Sequence, residues 1–136
     1  MASIFSKIIA GELPAHKVAE TNRAVAFLDI NPLHEGHLLV VPKQEVDKLF
    51  DLPEEDYLHL WQVARAIARA QEEVISCQRV GVAVVGLEVP HAHIHLIPIH
   101  GVHDIDFSRP KLSFTSEQLA ATTQRIQTRL PEVLRP

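Results

Sequence analysis

Cysteine is nearly missing from this chain of 136 residues: Cys77 is the single one. That excludes an intramolecular disulfide and a cysteine-rich zinc knuckle. It fits a reducing, cytoplasmic setting. Positive charge is also scarce, with 13 Lys and Arg against 17 Asp and Glu, a formal net of -4. Proteins that track a phosphate backbone are usually basic, so no nucleic-acid partner is expected, whereas a local site for one small anionic ligand remains compatible. Long apolar runs are absent. Lys7 and Glu12 interrupt "MASIFSKIIAGELP", which therefore lacks the continuous apolar stretch of a signal peptide. No uncharged stretch approaches the length of a bilayer span, so no membrane partner is expected. There is no internal repeat, low-complexity tract or long linker. With hydrophobic residues at 46% and charged residues at 22%, the chain reads as one soluble domain, 1–136, with one sizeable core.

Apolar periodicity orders the elements. Ile4, Phe5, Ile8 and Ile9 have helical spacing, closed by Gly11 and Pro14. "HKVAET" and "AVAFLDI" read as strands joined by a turn at Asn22 and Arg23, and "HLLVVP" as a third strand after the loop "NPLHEG". "EVDKLFDL" predicts a short helix. The strongest helical signal runs from Pro53 to about Ser76, with acidic Glu54, Glu55 and Asp56 at its start and an apolar stripe through Tyr57, Leu60, Trp61, Ala64, Ile67 and Ala68. "RVGVAVVG" and "HAHIHLIPI" add two strands. Thr115 with Gln118 predicts a capping box that opens a last helix to about Leu130. Three consecutive strands with short turns pair antiparallel. The expectation is an α+β domain: an antiparallel five-stranded sheet with the long helix packed on one face.

What is plentiful is histidine, nine residues in all, and three of them alternate in "EVPHAHIHLIPIH". On a strand, residues two apart face the same side, roughly 6.5–7 Å apart. His91, His93 and His95 would then share one face, with Ala92, Ile94 and Leu96 on the other. A lone histidine on a half-exposed strand usually does nothing. Three in register are harder to dismiss, because histidine is not favoured in strands and clustered imidazolium charges repel. Two uses compete. Imidazole is a common zinc ligand, but consecutive same-face residues rarely converge on one ion, and neither HExxH nor CxxC is present. The other use is nucleophilic catalysis, with neighbouring rings fixing a tautomer and assisting the leaving group.

"HAHIHLI" resembles the signature of the histidine triad (HIT) family at every position. "IFSKIIAGELPAHKVAETNRAVAFLDINPLHEGHLLVVPKQEV" is similar to the N-terminal half of that family's nucleoside-phosphoramidase branch, so the likeness covers roughly residues 3–100. It implies a homodimer that binds a nucleotide, by resemblance a purine one, and hydrolyses or transfers its nucleoside monophosphate group without a cofactor or metal. Carried over, His93 is the nucleophile that forms a nucleotidyl-histidine intermediate. His95 and His91 orient it and help bind phosphate or protonate the leaving group, and His37 in "EGHLLVVP" matches a fourth histidine near the triad. Asp29 would accept hydrogen bonds from the ribose hydroxyls, although it also suits the end of a strand before the "NP" turn. Phe5, Ile8, Phe27 and Ile30 match positions that enclose the base, although taken alone they read as core residues.

The chain departs from that branch in two places. Where the branch carries an Asn-x-Gly loop followed by Gly-Gln-Ser or Gly-Gln-Thr, this chain has "VGVAVVGLEVPH", with Glu88 replacing a small hydroxyl. A carboxylate there repels a phosphate and instead suits a cationic or amine-bearing leaving group. The tail, residues 101–136, with its expected helix, does not resemble the phosphoramidase tail. Three functions stay open at this point: a nucleotide hydrolase or transferase, a nucleotide-binding interaction protein with little catalysis, and a metal-binding module built on His91, His93 and His95.

Overall fold

The computed structural model describes residues 2–136. Eight regular elements follow in order: α1 (Ile4–Ile9), β1 (Lys17–Glu20), β2 (Ala24–Leu28), β3 (Leu38–Pro42), α2 (Glu54–Val74), β4 (Arg79–Ala83), β5 (Ile94–Ile99) and α3 (Ser116–Gln127). The strands form one antiparallel sheet in the order β1-β2-β3-β5-β4, the α+β fold expected. No helix among the described residues is long and apolar enough to cross a membrane.

The long helix covers one face of the sheet. Its buried residues are Leu60, Val63, Ala64, Ile67, Ala70 and Gln71, and they meet Ala24, Ala26, Leu28, Leu38, Val40, Ile94 and Leu96 from the strands. Each fully buried Leu or Ile on that seam is worth about 2 kcal/mol, so packing more than helix propensity holds α2 in place. Pro53 stands just outside the helix with φ -53°, and the acidic residues Glu54, Glu55 and Asp56 fill the first turn. The capping box at Thr115 and Gln118 is present and opens α3, which packs against α2 and β1.

The other face carries a smaller cluster of Phe5, Ile8, Val25, Phe27, Leu39 and Val41, with the short helix α1 on top. Consequently β2 and β3 are buried at every residue, and alternation along them reports nothing about which side is solvent. Two elements are shorter than their sequence suggests. The segment before α2 forms one 3₁₀ turn, Leu49–Asp51, and β5 begins only at Ile94. His91 and His93 therefore lie on the approach to the strand. There the His91 N–H donates to the Val89 carbonyl and the Ala92 N–H to the Val46 carbonyl, instead of completing a ladder.

Candidate active site

Pairing register builds the site. Phe27 pairs with Leu39, Leu39 with His95, and His95 with Ala83, so one row crosses four strands on the α1 side of the sheet. Beyond the sheet, the loop from Asp29 to His37 doubles back on itself. The Asn31 N–H donates to Oδ1 of Asp29 at 2.8 Å, and the Asp29 N–H donates to the His37 carbonyl at 3.0 Å. Gly36 allows the return with φ +83°, and a Cβ there would meet Cγ1 of Ile75 at 3.0 Å. The loop thereby sets its two ends side by side, with Nε2 of His37 at 3.7 Å from Oδ2 of Asp29.

Proton positions follow from the partners. The Leu33 N–H donates to Nδ1 of His37 at 3.0 Å, so the His37 proton sits on Nε2. Nε2 of His37 lies 3.0 Å from Nδ1 of His95 and donates to it, which leaves the His95 proton on its own Nε2. Burial first, and the neighbouring His95, push His37 down to about 3; burial first, and then His93, push His95 down to about 4. Both rings are neutral at pH 7, and the Asp29–His37 approach is a contact with a neutral ring. Nδ1 of His93 donates to the His91 carbonyl at 2.7 Å, so the lone pair of its Nε2 is free. Burial lowers this ring's proton affinity too, against the opposing pull of that carbonyl. Phe5 stands edge-on to His93 at 4.9 Å between centroids, and the His93 and His95 rings are 5.0 Å apart. The site thus presents an unprotonated nitrogen next to an N–H donor.

His91 has a different place from the one expected. It is fully buried, Nε2 donates to the Pro42 carbonyl at 2.8 Å, and Nδ1 is 2.7 Å from Oγ of Ser3. With both ring nitrogens engaged inside the protein, it has none to offer a phosphate or a leaving group. Its contribution to His93 is the backbone carbonyl. His95, neutral and accepting from His37 at Nδ1, keeps its Nε2–H as a hydrogen-bond donor. Ser3 and Ser6, at the start of α1, extend the His91 anchor. The Ser3 N–H and the Ser6 hydroxyl both donate to Oε1 of Glu45, at 2.7 and 2.6 Å, and these bonds hold the Glu45 carboxyl down at about 2.

Next to the rings is a cavity of about 290 Å³ lined by Phe5, Ile8, Phe27, Leu39, Asp29 and Ile30, among others. Every residue expected around the nucleoside is on its wall, whereas Glu88, expected at the leaving group, is not. The three triad rings and His37 are not on that wall; they adjoin it through Phe5 and Leu39. Burial, the largest influence, raises the Asp29 carboxyl; Asn31 and Lys111 oppose it, and Glu88 adds to it. Glu88 is exposed in the bend before the triad and makes no side-chain hydrogen bond among the described residues.

Two further neighbours come from the tail and carry no recognisable sequence signal. Phe107 packs against His95 at 4.8 Å and His37 at 6.3 Å between centroids, and Lys111 lies 5.8 Å from the Phe107 ring centre. Gln71 was also missed. It is buried on α2 and donates to the carbonyls of Gly36 at 2.9 Å and Leu96 at 3.2 Å, joining the His37 loop to the triad strand.

A metal ion would find donors here, though not the three alternating histidines. Asp29, His37 and His95 place one donor atom each within 4.8 Å of one another. The proton pattern opposes ligation, because the His37 atom facing the group is the protonated Nε2. Moving that proton to Nδ1 would set it against the Leu33 N–H. The donor set does not fit a resident ion in this tautomer.

The strand register, the four imidazoles and the adjoining apolar cavity define a histidine-triad site. The chain belongs to the HIT family: the HIT domain matches residues 10–102. It is 40% identical over 98 residues to the adenosine 5'-monophosphoramidase HNT1 of Saccharomyces cerevisiae, a match covering 71% of this chain and 62% of that protein, so the likeness spans about three fifths of that relative. It is 30% identical over 133 residues to the adenosine 5'-monophosphoramidase hnt1 of Schizosaccharomyces pombe, covering 96% of this chain and 99% of that one. Among solved structures, a HIT-like protein from Bartonella henselae superposes with a TM-score of 0.81 at 27% identity, covering 94% of this chain and 96% of the other.

Proposed function

We propose that this chain is a nucleotide hydrolase or nucleotidyl transferase. It cleaves a nucleoside 5'-monophosphate derivative, of phosphoramidate or dinucleotide type, through a nucleotidyl-histidine intermediate. The observation that carries the reading is the free lone pair on Nε2 of His93, fixed by the Nδ1–H to His91 carbonyl bond of 2.7 Å. In the first step a bond forms from that nitrogen to the α-phosphorus, and the bond to the leaving group breaks. The leaving group departs with the electron pair and takes its proton from water. In the second step water attacks phosphorus, the electron pair returns to Nε2 of His93, and the water's proton passes to solvent. Nε2–H of His95 donates to the phosphoryl or leaving-group atom where negative charge gathers. The base lies between Phe5, Ile8, Phe27 and Ile30, and the ribose hydroxyls donate to Asp29. A purine base accords with the two yeast relatives, whose names specify adenosine monophosphoramidate chemistry.

The test is His93→Ala against adenosine phosphoramidate and dinucleoside polyphosphates. Loss of the nucleophile lowers kcat by at least about a thousandfold; unchanged turnover sinks the assignment. The second reading, binding without turnover, draws on exposed Glu88 standing where the branch has a hydroxyl. It predicts AMP binding by the wild type with no turnover of either substrate class. We also propose a homodimer in the cytoplasm. The free edge strand β4, with exposed Val82 and the following exposed Val84 and Val85, supports pairing of two copies. Sedimentation as a monomer at micromolar concentration would count against it.

A further inference from the structure

An anionic substrate meets an unusual balance of charge at this site. The rings of His37 and His95 are neutral, Asp29 beside His37 is a carboxylate that opposes a phosphate, and Glu88 acts on Asp29 with the same sign. One fixed cation acts on both Asp29 and His37 among the described residues, and it is Lys111. It reaches the site because the tail folds back. The Leu112 N–H donates to the Pro32 carbonyl at 2.8 Å, which ties the tail to the same loop that carries Asp29 and His37. Upstream, the His100 and Gly101 N–H groups donate to Oδ2 of Asp104 at 2.7 and 3.0 Å, and Arg109 pairs with Oδ1 of Asp104 at 3.0 Å. Between these ties, Phe107 is seated on His95, and the Lys111 ammonium donates to the carbonyls of Phe107 and Arg109 while lying against the same phenyl ring.

We propose that Lys111 is a substrate-binding residue, the cation that receives the substrate's phosphate, and that Phe107 is the wall which places it beside the triad. The proposal rests on the nucleotide reading above and adds a residue from the tail, which the triad signature does not include. The backbone carbonyls that now hold the ammonium are neutral acceptors. A phosphate oxygen is the stronger partner, and a lysine side chain has the freedom to exchange one for the other. Lys111 is exposed, so replacing it leaves the core untouched.

The experiment compares adenosine with AMP by calorimetry, in wild type, Lys111→Met and Lys111→Arg, at low and at high salt. The ligands differ by the phosphate alone. Lys111→Met is expected to weaken AMP about ten- to a hundredfold, as the loss of a charge-assisted hydrogen bond should, and to leave adenosine unchanged. Lys111→Arg is expected to keep most of the AMP affinity, and the Met deficit to shrink as salt rises. AMP affinity in Lys111→Met equal to that of the wild type overturns this proposal and leaves the nucleotide reading standing. Equal losses for AMP and adenosine also overturn it, because they mean a displaced loop. A wild type that binds neither ligand takes down both.

Discussion

Neutral buried histidines make the fold sensitive to mild acid, and His37 offers a way to isolate the effect. In the unfolded chain a histidine takes up its proton near 6.5. In the fold His37 waits until about 3 and His95 until about 4, burial being the main cause for each. Below 6.5 the unfolded state binds protons that the folded state refuses, so stability falls as pH falls through that window and is fully present above it. Relative to pH 8, each ring costs about 2 kcal/mol at pH 5, or about 4 kcal/mol for the pair, a large share of the margin of a typical domain. His93 shifts in the same direction. Glu45 and Asp104, both held down at about 2, lose their contributions as the pH falls from the ordinary carboxylate range towards 2, and Asp29, raised by burial, has the opposite sign and titrates above that range. Comparing wild type with a His37 variant over pH 8 to 5 subtracts the carboxylates common to both and isolates the histidine. The assay is urea unfolding across that interval for wild type and His37→Gln, whose amide still donates to His95. Between pH 6 and 5 the wild-type free energy should fall more steeply than the variant's by about 1.2 kcal/mol per pH unit. Parallel pH dependences in the two proteins would refute the claim that His37 stays neutral in the fold.

Two more consequences can be measured directly. Asp29→Asn replaces the proposed acceptor of ribose hydroxyls with a group that accepts at one atom only; adenosine affinity should fall about tenfold while the affinity for a base lacking ribose stays level, by calorimetry. Gln71→Leu leaves the carbonyls of Gly36 and Leu96 without their buried donor and should lower stability by about 1–3 kcal/mol in urea melts, an effect absent from a surface variant such as Gln62→Leu.

Local chemistry was legible where short motifs carried it. "HAHIH" pointed to the rings, and "FLDINPLHEGH" contained both ends of a loop that the fold closes through Asx-turn and backbone bonds, so Asp29 and His37 come side by side. What was not legible depends on contacts distant in sequence. His91 looked like His93 and His95 because all three alternate; its role is set by Ser3 and Pro42, which lie 88 and 49 positions away. Burial of β2 on both faces hid which side held the cavity, since Val25 and Phe27 pack under α1 while Ala24 and Ala26 pack under α2. Phe107 and Lys111 sit in irregular chain, where no periodicity marks a residue as inward, and the tie from Leu112 to Pro32 has no sequence signature at all. Gln71 was lost for another reason: on a helix stripe a glutamine reads as surface.

The succession Leu33 N–H, His37, His95 is polarised, every donor facing the same way. Such a chain acts as a fixed dipole whose positive end is the Nε2–H of His95, so it can attract an anion without carrying a net charge. A dipole ordered by the fold needs no counterion to be displaced and is little affected by dissolved salt, whereas the ammonium of Lys111 is screened within about 10 Å at 0.1 M. Ionic strength should therefore act on this site like a prism, separating what the interior contributes from what the tail contributes.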